Sequence, residues 1–326
     1  MRSGAVSHMR YVPLVKLAIA ALLLTLVLRP AEWGVLRQSL AGLRLGLLGL
    51  GILSFLLIAV VEVWRLRTAL AGFALGWVEL LRLHLVGTFF GSCLPGRFGA
   101  DLYQTRYLSS RAGGFERPLS LIVLMRAVGL LILAVAALVS IAMHDRELDV
   151  WLGSQVSPRS PSPLFFVVLG LTALLAIGIG ARSGIRSAVR SRLRAFRREL
   201  LNSLRALSGA RLAVLVLLSI LQLALRASVI GSLVAAVGFS VDSAEAVLVT
   251  ALGTLLTLVP ISFSGIGLRE AAVTALLHYL EIPYEDAVVV ALLGRGLMIL
   301  VAGLGGLWLI TEMLTRHSRS LSEEET

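Results

Sequence analysis

The sequence is poor in the residues on which a soluble enzyme depends. Only 15% of its 326 residues are charged and 57% belong to the hydrophobic set AVILMFWYC, with a mean hydropathy of +0.90. Soluble domains have about 25% charged residues, so this composition excludes a soluble globular enzyme and indicates a chain embedded in a bilayer. The single cysteine, Cys93, excludes an internal disulfide framework, and no Cys or His pair has the spacing of a structural zinc site.

Motifs of known catalytic or energy-coupling chemistry are also missing. The sequence contains no Walker loop, no Gly-x-Ser-x-Gly elbow, no zincin pattern and no nucleophile-base set. We therefore expect no ATP-driven pumping, no enzymatic activity, no cofactor and no metal. Lysine is nearly absent, because the basic residues are Lys16 and 29 arginines. The net charge is +11. These arginines lie in short connections without interleaved aromatic residues, which favours membrane orientation over nucleic-acid binding.

Six apolar runs are each about long enough to cross roughly 30 Å of hydrocarbon as a helix. The first follows three basic residues, as a signal peptide would, but Arg29-Pro30-Ala31-Glu32 after it is no small-residue cleavage site. We therefore expect an uncleaved first helix. The six predicted spans are residues 12–28, 45–64, 119–143, 164–180, 212–237 and 286–310.

Two further apolar stretches are interrupted near their middles. Residues 77–108 are broken at 94–99, and residues 245–280 are broken at 260–267, in both cases by proline and glycine. Proline lacks an amide donor and glycine favours non-helical backbone, so each break leaves backbone groups without intrahelical partners. Such gaps persist in hydrocarbon only beside protein or water, which predicts two re-entrant broken-helix hairpins.

The arginine distribution predicts the orientation. Residues 181–211 hold nine arginines against Glu199 alone and are expected in the cytoplasm. Counting spans from there places residues 65–76 and 97–118 inside and 144–163 outside. The two hairpins then enter from opposite faces, both termini are cytoplasmic, and the protein is a multi-pass protein of the cell (inner or plasma) membrane.

An internal repeat supports this arrangement. The segment from Gly87 to Pro95 resembles that from Gly253 to Pro260, and the same shift of 166 moves residues 45–64 onto 211–230. We predict an all-α polytopic protein with six full spans and two re-entrant hairpins in two inverted repeats; the alternative is chance similarity among Leu, Gly and Ala. The predicted units are a first half (1–163), a second half (164–315) and a cytoplasmic tail (316–326).

The arginine-rich segment 181–211 has an amphipathic pattern of its own. Apolar residues recur every three or four positions from Ile185 to Leu207, which predicts an amphipathic helix in the inner headgroup layer. It either recruits acidic lipid or simply anchors the topology, and we favour the anchoring role.

The first hairpin supplies a candidate anion site. Helix ends expose amide donors, and arginine offers a forked donor that matches phosphate oxygens. Asp101 either orients a neighbouring arginine (Arg97 or Arg106) or caps the helix that follows, and the alternative is an ordinary cytoplasmic turn. The candidate residues are Pro95, Gly96, Arg97, Gly99, Asp101 and Arg106.

The second hairpin carries ionisable residues that the topology places deep in the bilayer, where each needs a partner or a cavity. Arg269 and Glu270 are adjacent and diverge on a helix, so each has another partner. Buried arginines in excess of acids suggest an anionic lipid headgroup, whereas a structural alternative has Arg226 or Arg295 bonded to broken-helix carbonyls. The candidates are Ser262, Ser264, Gly265, Gly267, Arg269 and Glu270, with Arg126, Arg226, Arg295 and Gln222 from the spans.

These two breaks resemble a known family. Residues 94–101 with Arg106, and residues 264–271, are similar to the two hallmark segments of the flippase-like membrane domain of lysylphosphatidylglycerol synthases. The resemblance covers nearly the whole chain and implies a lipid flippase. Two positions depart from the family pattern: Met125 replaces an acidic residue, and Phe263-Ser264 replaces Pro-Gly.

The resemblance implies translocation of an anionic or aminoacylated phospholipid, or of a polyprenyl-phosphate-linked lipid, between leaflets. We expect no soluble synthase domain after residue 326, and therefore no lipid aminoacylation from this chain. The alternative is a non-catalytic scaffold or accessory subunit for a lipid-modifying enzyme or glycosyltransferase, docked through the basic helix.

Overall fold

The structure is a computed structural model that describes residues 18–93, 98–143, 187–257 and 265–324. Within these ranges the chain is helical and has no strand. The helices are α1 (Ala18–Leu28), α2 (Trp33–Ala41), α3 (Leu45–Ala69), α4 (Trp77–Cys93), α5 (Phe98–Ala112), α6 (Glu116–Met143), α7 (Ser187–Ala206), α8 (Gly209–Ala236), α9 (Ser243–Leu256), α10 (Leu268–Tyr279) and α11 (Tyr284–Glu324).

Four of these helices, α3, α6, α8 and α11, are long and apolar enough to cross a membrane. Helices α1 and α2 together would make a fifth crossing, although they bend by 84° at the turn that contains Pro30. The protein is therefore an all-helical, multi-pass membrane protein with four or five candidate spans. Four of the six predicted runs lie in the long helices, 12–28 is described only from residue 18, and 164–180 lies outside the described residues.

Both predicted breaks separate two helices. The first pair is α4 and α5, and the second is α9 and α10. Residues 94–97 and 258–264, which include most of the break residues, lie outside the described ranges. Beside the second break, Gly265 and Gly267 have φ angles of 71° and 82°, a left-handed conformation that favours glycine over residues with a Cβ.

The helices of the two halves correspond in position along the chain. Helices α8, α9, α10 and α11 begin 164 to 170 residues after α3, α4, α5 and α6, respectively. The contacts correspond as well: α4 packs against α11 as α9 packs against α6, α5 packs against α6 as α10 packs against α11, and α3 packs against α8. The contact between α6 and α8 is an exception, because the corresponding pair, α11 and α3, has no contact of similar extent. One cluster of buried apolar side chains lies mainly in the second half and another mainly in the first, and each also includes side chains of the other half.

Glycines bring the two arms of each hairpin together. A Cβ at Gly87 would lie 3.0 Å from Gln104 Nε2, and a Cβ at Gly253 would lie 3.2 Å from Val273 Cγ2. The two glycines are 166 residues apart, whereas their partners are 169 apart. The three extra residues of the second half therefore fall between the two arms of its hairpin.

Helices α1 and α2 pack against the second half. A Cβ at Gly267 would lie 2.5 Å from Leu23 Cβ, and the Tyr284 hydroxyl donates to the Val27 carbonyl at 2.8 Å. Val27 and Leu36 join a buried apolar cluster with Val288 and neighbouring residues of α11. The first helix therefore lies beside the second helix break.

The basic segment forms helix α7, but its predicted end at residue 211 is wrong. The helix ends at Ala206, and residues 209–211 belong to α8, because Ser208 caps α8 by accepting a hydrogen bond from the Arg211 amide. One face of α7 packs against α6, where Ser203 is buried and its hydroxyl lies 2.7 Å from that of Ser120. Residues 181–186 lie outside the described ranges.

Candidate functional site

A cavity of about 280 Å³ lies where the two halves meet. Every long helix and all four hairpin helices contribute to its walls. Ser92 and Ala100 line it on either side of the first break, and Thr257 and Arg269 on either side of the second, so residues that flank both breaks border one cavity. A volume of this size, near the lower end of ligand pockets, suits a headgroup rather than a whole lipid.

The cavity is unusually charged for a chain of this composition. The charged or titratable residues on its walls are Glu62, Arg65, His84, Asp101, Arg126, Arg226 and Arg269. These described wall residues include four arginines and two carboxylates. The cavity therefore has a net positive charge even with a neutral histidine.

One carboxylate belongs to a buried network that joins three helices. Arg65 Nη1 donates to Glu62 Oε2 at 2.7 Å and to Gln222 Oε1 at 2.8 Å, while Gln222 Nε2 donates to Glu62 Oε2 at 2.6 Å. Arg65 Nη2 also donates to the Met125 carbonyl at 3.0 Å. The Glu62 charge is thus neutralised inside the protein, and α3 is tied to both α6 and α8.

The other carboxylate pairs with an arginine on the next helix. Arg126 Nη1 lies 2.9 Å from Asp101 Oδ2, which joins α5 to α6. The sequence indicated Arg97 and Arg106 as partners of Asp101 and did not indicate Arg126. The long α6 places Arg126 opposite the first turn of α5, a relation that residue spacing does not reveal.

Beside the cavity, the second half contains a similar ion pair. Arg295 Nε donates to Glu270 Oε1 at 2.6 Å, and Glu270 Oε2 accepts from the Gly267 amide at 2.6 Å. Arg295 Nη2 donates to the Gly265 carbonyl at 3.1 Å. Arg295, one of the candidates predicted from the sequence, is therefore the partner of Glu270. Arg295 also donates to a backbone carbonyl at the helix break, as the structural alternative predicted.

Arg226 differs from these arginines. It lies near the middle of α8 and lines the cavity, yet no described residue forms a hydrogen bond or ion pair with its side chain. The electrostatic environment of Arg226 is set by Glu62, Arg65 and Arg269. On the neighbouring α9, Thr250 and Thr254 also line the cavity, and the buried Thr250 hydroxyl has no hydrogen-bond partner among the described residues.

The structure places the predicted site residues in four groups. Asp101, Arg126, Arg226 and Arg269 line the cavity, as does Gln222. Gly265, Gly267, Glu270 and Arg295 form the adjacent network. Gly99 is buried and Arg106 is exposed on α5, and neither lines the cavity. Pro95, Gly96, Arg97, Ser262 and Ser264 lie outside the described residues.

Two charged wall residues near the end of α3 were not among the predicted site residues. Glu62 lies within a predicted apolar run and Arg65 in a predicted cytoplasmic connection, whereas α3 continues to Ala69 and Arg65 is buried. The signal in the sequence is an acid and an arginine three residues apart at the end of an apolar run, since ionisable residues inside a span are costly. The free Thr250 hydroxyl on α9 has no comparable signal.

A further charged cluster fastens the first hairpin at the end away from its break. Glu79 at the start of α4 accepts hydrogen bonds from Tyr107 and from Arg111 near the end of α5, with 3.1 Å between Arg111 Nη1 and Glu79 Oε2. Burial tends to raise the pKa of Glu79, but the hydrogen bonds and the Arg111 charge outweigh it and hold that pKa below its usual value. Burial and the Glu79 contact raise the pKa of Tyr107.

Long apolar helices around a charged cavity define this chain as a multi-pass membrane protein. A family model described as "Lysylphosphatidylglycerol synthase TM region" matches residues 14–306. The chain belongs to that family, which suggests a role related to membrane lipids and confirms the family predicted from the two break segments. A comparison with curated proteins finds no match for this chain.

Proposed function

We propose that the protein is a lipid translocase that moves an anionic or aminoacylated phospholipid, or a polyprenyl-phosphate-linked lipid, between the leaflets of the cell membrane. The observation that carries this proposal is the charged cavity, which is bordered by residues that flank both helix breaks in a largely apolar chain. Transport of this kind needs no covalent step, so the proposal includes no catalysis and no cofactor.

The physical argument concerns the headgroup. A charged or polar headgroup that crosses about 30 Å of hydrocarbon loses its water, which costs many kcal/mol. Arginines, hydroxyls and amides at interrupted helices replace part of that hydration, while the acyl chains remain in lipid. A cavity wide enough for the headgroup therefore lowers the barrier to crossing.

The proposed architecture has six full spans and two hairpins that enter from opposite faces, in two inverted halves with both termini in the cytoplasm. The exchange of helix contacts between the halves supports a two-fold relation, because inverted repeats place matching interrupted helices around one central site. Cysteine-accessibility labelling of intact cells at residues 145–149 and 200–205 tests it. Labelling of 145–149 by an impermeant reagent, with protection of 200–205, is the expected result.

The function is tested in reconstituted vesicles. Wild-type protein is expected to move a fluorescent anionic lipid between leaflets faster than the Arg269→Ala and Arg97→Ala variants. Arg37→Ala is the matched control, because Arg37 is exposed on α2 and does not line the cavity. Equal rates for wild type, both variants and protein-free vesicles would contradict the translocase.

The second candidate is a scaffold or accessory subunit for a lipid-modifying enzyme or glycosyltransferase. Its support is α7, where Arg197, Arg198 and Arg205 are exposed beside Leu201 and Leu204, which are 43% and 40% exposed. Partner co-purification that survives the two hairpin substitutions but is lost when the arginines between 182 and 198 are neutralised favours this role.

A further inference from the structure

We propose that the cavity binds a lipid phosphate whose headgroup carries no ammonium group, and that Arg226 is the residue that holds the phosphate. This inference rests on the proposed function and narrows its substrate class, since aminoacylated lipids carry an ammonium group. It follows from which charged groups in the cavity are already occupied and which are available.

Both carboxylates on the described cavity walls are occupied. Glu62 accepts from Arg65 and Gln222, and Asp101 pairs with Arg126. The sequences of the two breaks at 94–97 and 258–264 contain no Asp or Glu. A lysyl or ethanolamine headgroup needs a carboxylate partner once it leaves water, so the cavity repels such a headgroup rather than binding it.

The available charge is positive. Among the described wall residues, the two carboxylates are matched by Arg65 and Arg126. The Arg226 side chain forms no hydrogen bond or ion pair with a described residue, and the Glu62 carboxylate that attracts it is already bonded to Arg65 and Gln222. An unpaired guanidinium inside a membrane protein is costly, and an incoming anion supplies the missing counter-charge.

Hydroxyls on the neighbouring helix complete the site. Thr250 and Thr254 lie one helical turn apart on α9, which packs against α8, and both line the cavity; the Thr250 hydroxyl has no partner among the described residues. Thr250 is only 6% exposed, so its hydroxyl is removed from bulk water as well. A forked guanidinium on α8 and threonine hydroxyls on the adjacent α9 match the several acceptor oxygens of a phosphate.

Equilibrium binding to the purified full chain tests the inference without requiring transport. The probes are short-chain phosphatidic acid, phosphatidylglycerol, phosphatidylethanolamine and lysylphosphatidylglycerol. Wild-type protein is expected to bind the first two about ten-fold or more tightly than the last two. Equal or tighter binding of either amine-bearing lipid would overturn the inference, and this comparison needs no variant.

Variants locate the site. Arg226→Gln is expected to weaken phosphatidic acid binding about ten-fold or more and to remove most of the discrimination against amine-bearing lipids. Thr250→Val with Thr254→Val should weaken it by a smaller factor. Arg37→Gln and Thr274→Val are matched controls, since Arg37 is exposed and Thr274 is buried with a free hydroxyl, and neither lines the cavity. Unchanged binding by folded Arg226→Gln would overturn the assignment.

Two further arms separate the possible outcomes. If inorganic phosphate or glycerol phosphate binds as tightly as the short-chain lipids, the site is one for soluble phosphate and the lipid part of the inference fails. If vesicles with wild-type protein move none of the four lipids faster than protein-free vesicles, the translocase fails, while the binding preference still decides the inference. Faster movement of lysylphosphatidylglycerol than of phosphatidylglycerol leaves the translocase intact and refutes the inference.

Discussion

Asp101 and Arg126 form an ion pair, and the same pair recurs 169 residues later as Glu270 and Arg295. In each half the acid lies in the first turn of the second hairpin helix, and the arginine lies on the long helix that follows. Each pair thus fastens one hairpin to its own half. The two pairs differ in burial, because Arg126 is 32% exposed along its side chain and Glu270 only 1%.

This difference predicts unequal contributions to stability. Arg295→Met leaves the buried Glu270 carboxylate without its counter-charge, which costs about 3–5 kcal/mol. Arg126→Met should cost less, about 1 kcal/mol, because Arg126 and Asp101 are 32% and 15% exposed and the carboxylate left behind is less deeply buried than Glu270. Thermal unfolding in detergent should therefore show a much larger fall in unfolding temperature for Arg295→Met.

The double variant Glu270→Gln/Arg295→Met provides the control. Removal of the carboxylate charge together with its partner should restore much of the lost unfolding temperature. If Arg126→Met lowers the unfolding temperature as much as Arg295→Met, burial does not determine how much each ion pair contributes to stability.

Arg65 predicts a defect that does not depend on charge. Its guanidinium reaches Glu62, Gln222 and the Met125 carbonyl at once, whereas a lysine ammonium is a compact group that cannot span acceptors on three helices. Arg65→Lys should therefore destabilise the protein by about 1–3 kcal/mol through unsatisfied buried acceptors. The measurement is the unfolding temperature, and Arg37→Lys at an exposed position should leave it unchanged.

The sequence predicted the features that local backbone chemistry determines. Proline combined with closely spaced glycines disfavours helical backbone locally, so both breaks could be predicted, and the offset of 169 between Arg126 and Arg295 appeared in the sequence. The partners of these arginines could not be predicted in the same way. The Asp101–Arg126 ion pair and the Glu62–Gln222 hydrogen bond form only because separate helices pack side by side. Such contacts between helices cannot be predicted from the spacing of residues along the chain.

Close packing of α4 against α11 gives a prediction about two glycines of α11. A Cβ at Gly305 would lie 2.0 Å from the Leu85 carbonyl oxygen, so Gly305→Ala forces the two helices apart. Overpacking of this kind costs about 1–3 kcal/mol or more. Gly303→Ala is the matched control, because no atom lies within 4 Å of its Cβ position and alanine favours helix by about 1 kcal/mol.

Size-exclusion profiles and unfolding temperatures distinguish the two substitutions. Gly305→Ala should lower the unfolding temperature and broaden the monomer peak, while Gly303→Ala should leave both unchanged or raise the temperature slightly. A harmless Gly305→Ala would mean that α4 and α11 do not approach as closely as the structure has them.

The docking of α7 on α6 predicts a specific cross-link. The hydroxyl oxygens of Ser120 and Ser203 lie 2.7 Å apart, so cysteines at both positions have their sulfur atoms within reach of a disulfide. In a Cys93→Ser background, oxidation of Ser120→Cys/Ser203→Cys should therefore protect both thiols from a maleimide–polyethylene glycol reagent, and a reductant should restore labelling. The pair Ser120→Cys/Leu201→Cys is the control, because Leu201 is 43% exposed on α7 and points away from the buried Ser203 contact. Free thiols at 120 and 203 after oxidation would show that α7 is not fixed against the bundle, and would favour a helix free to dock on a partner.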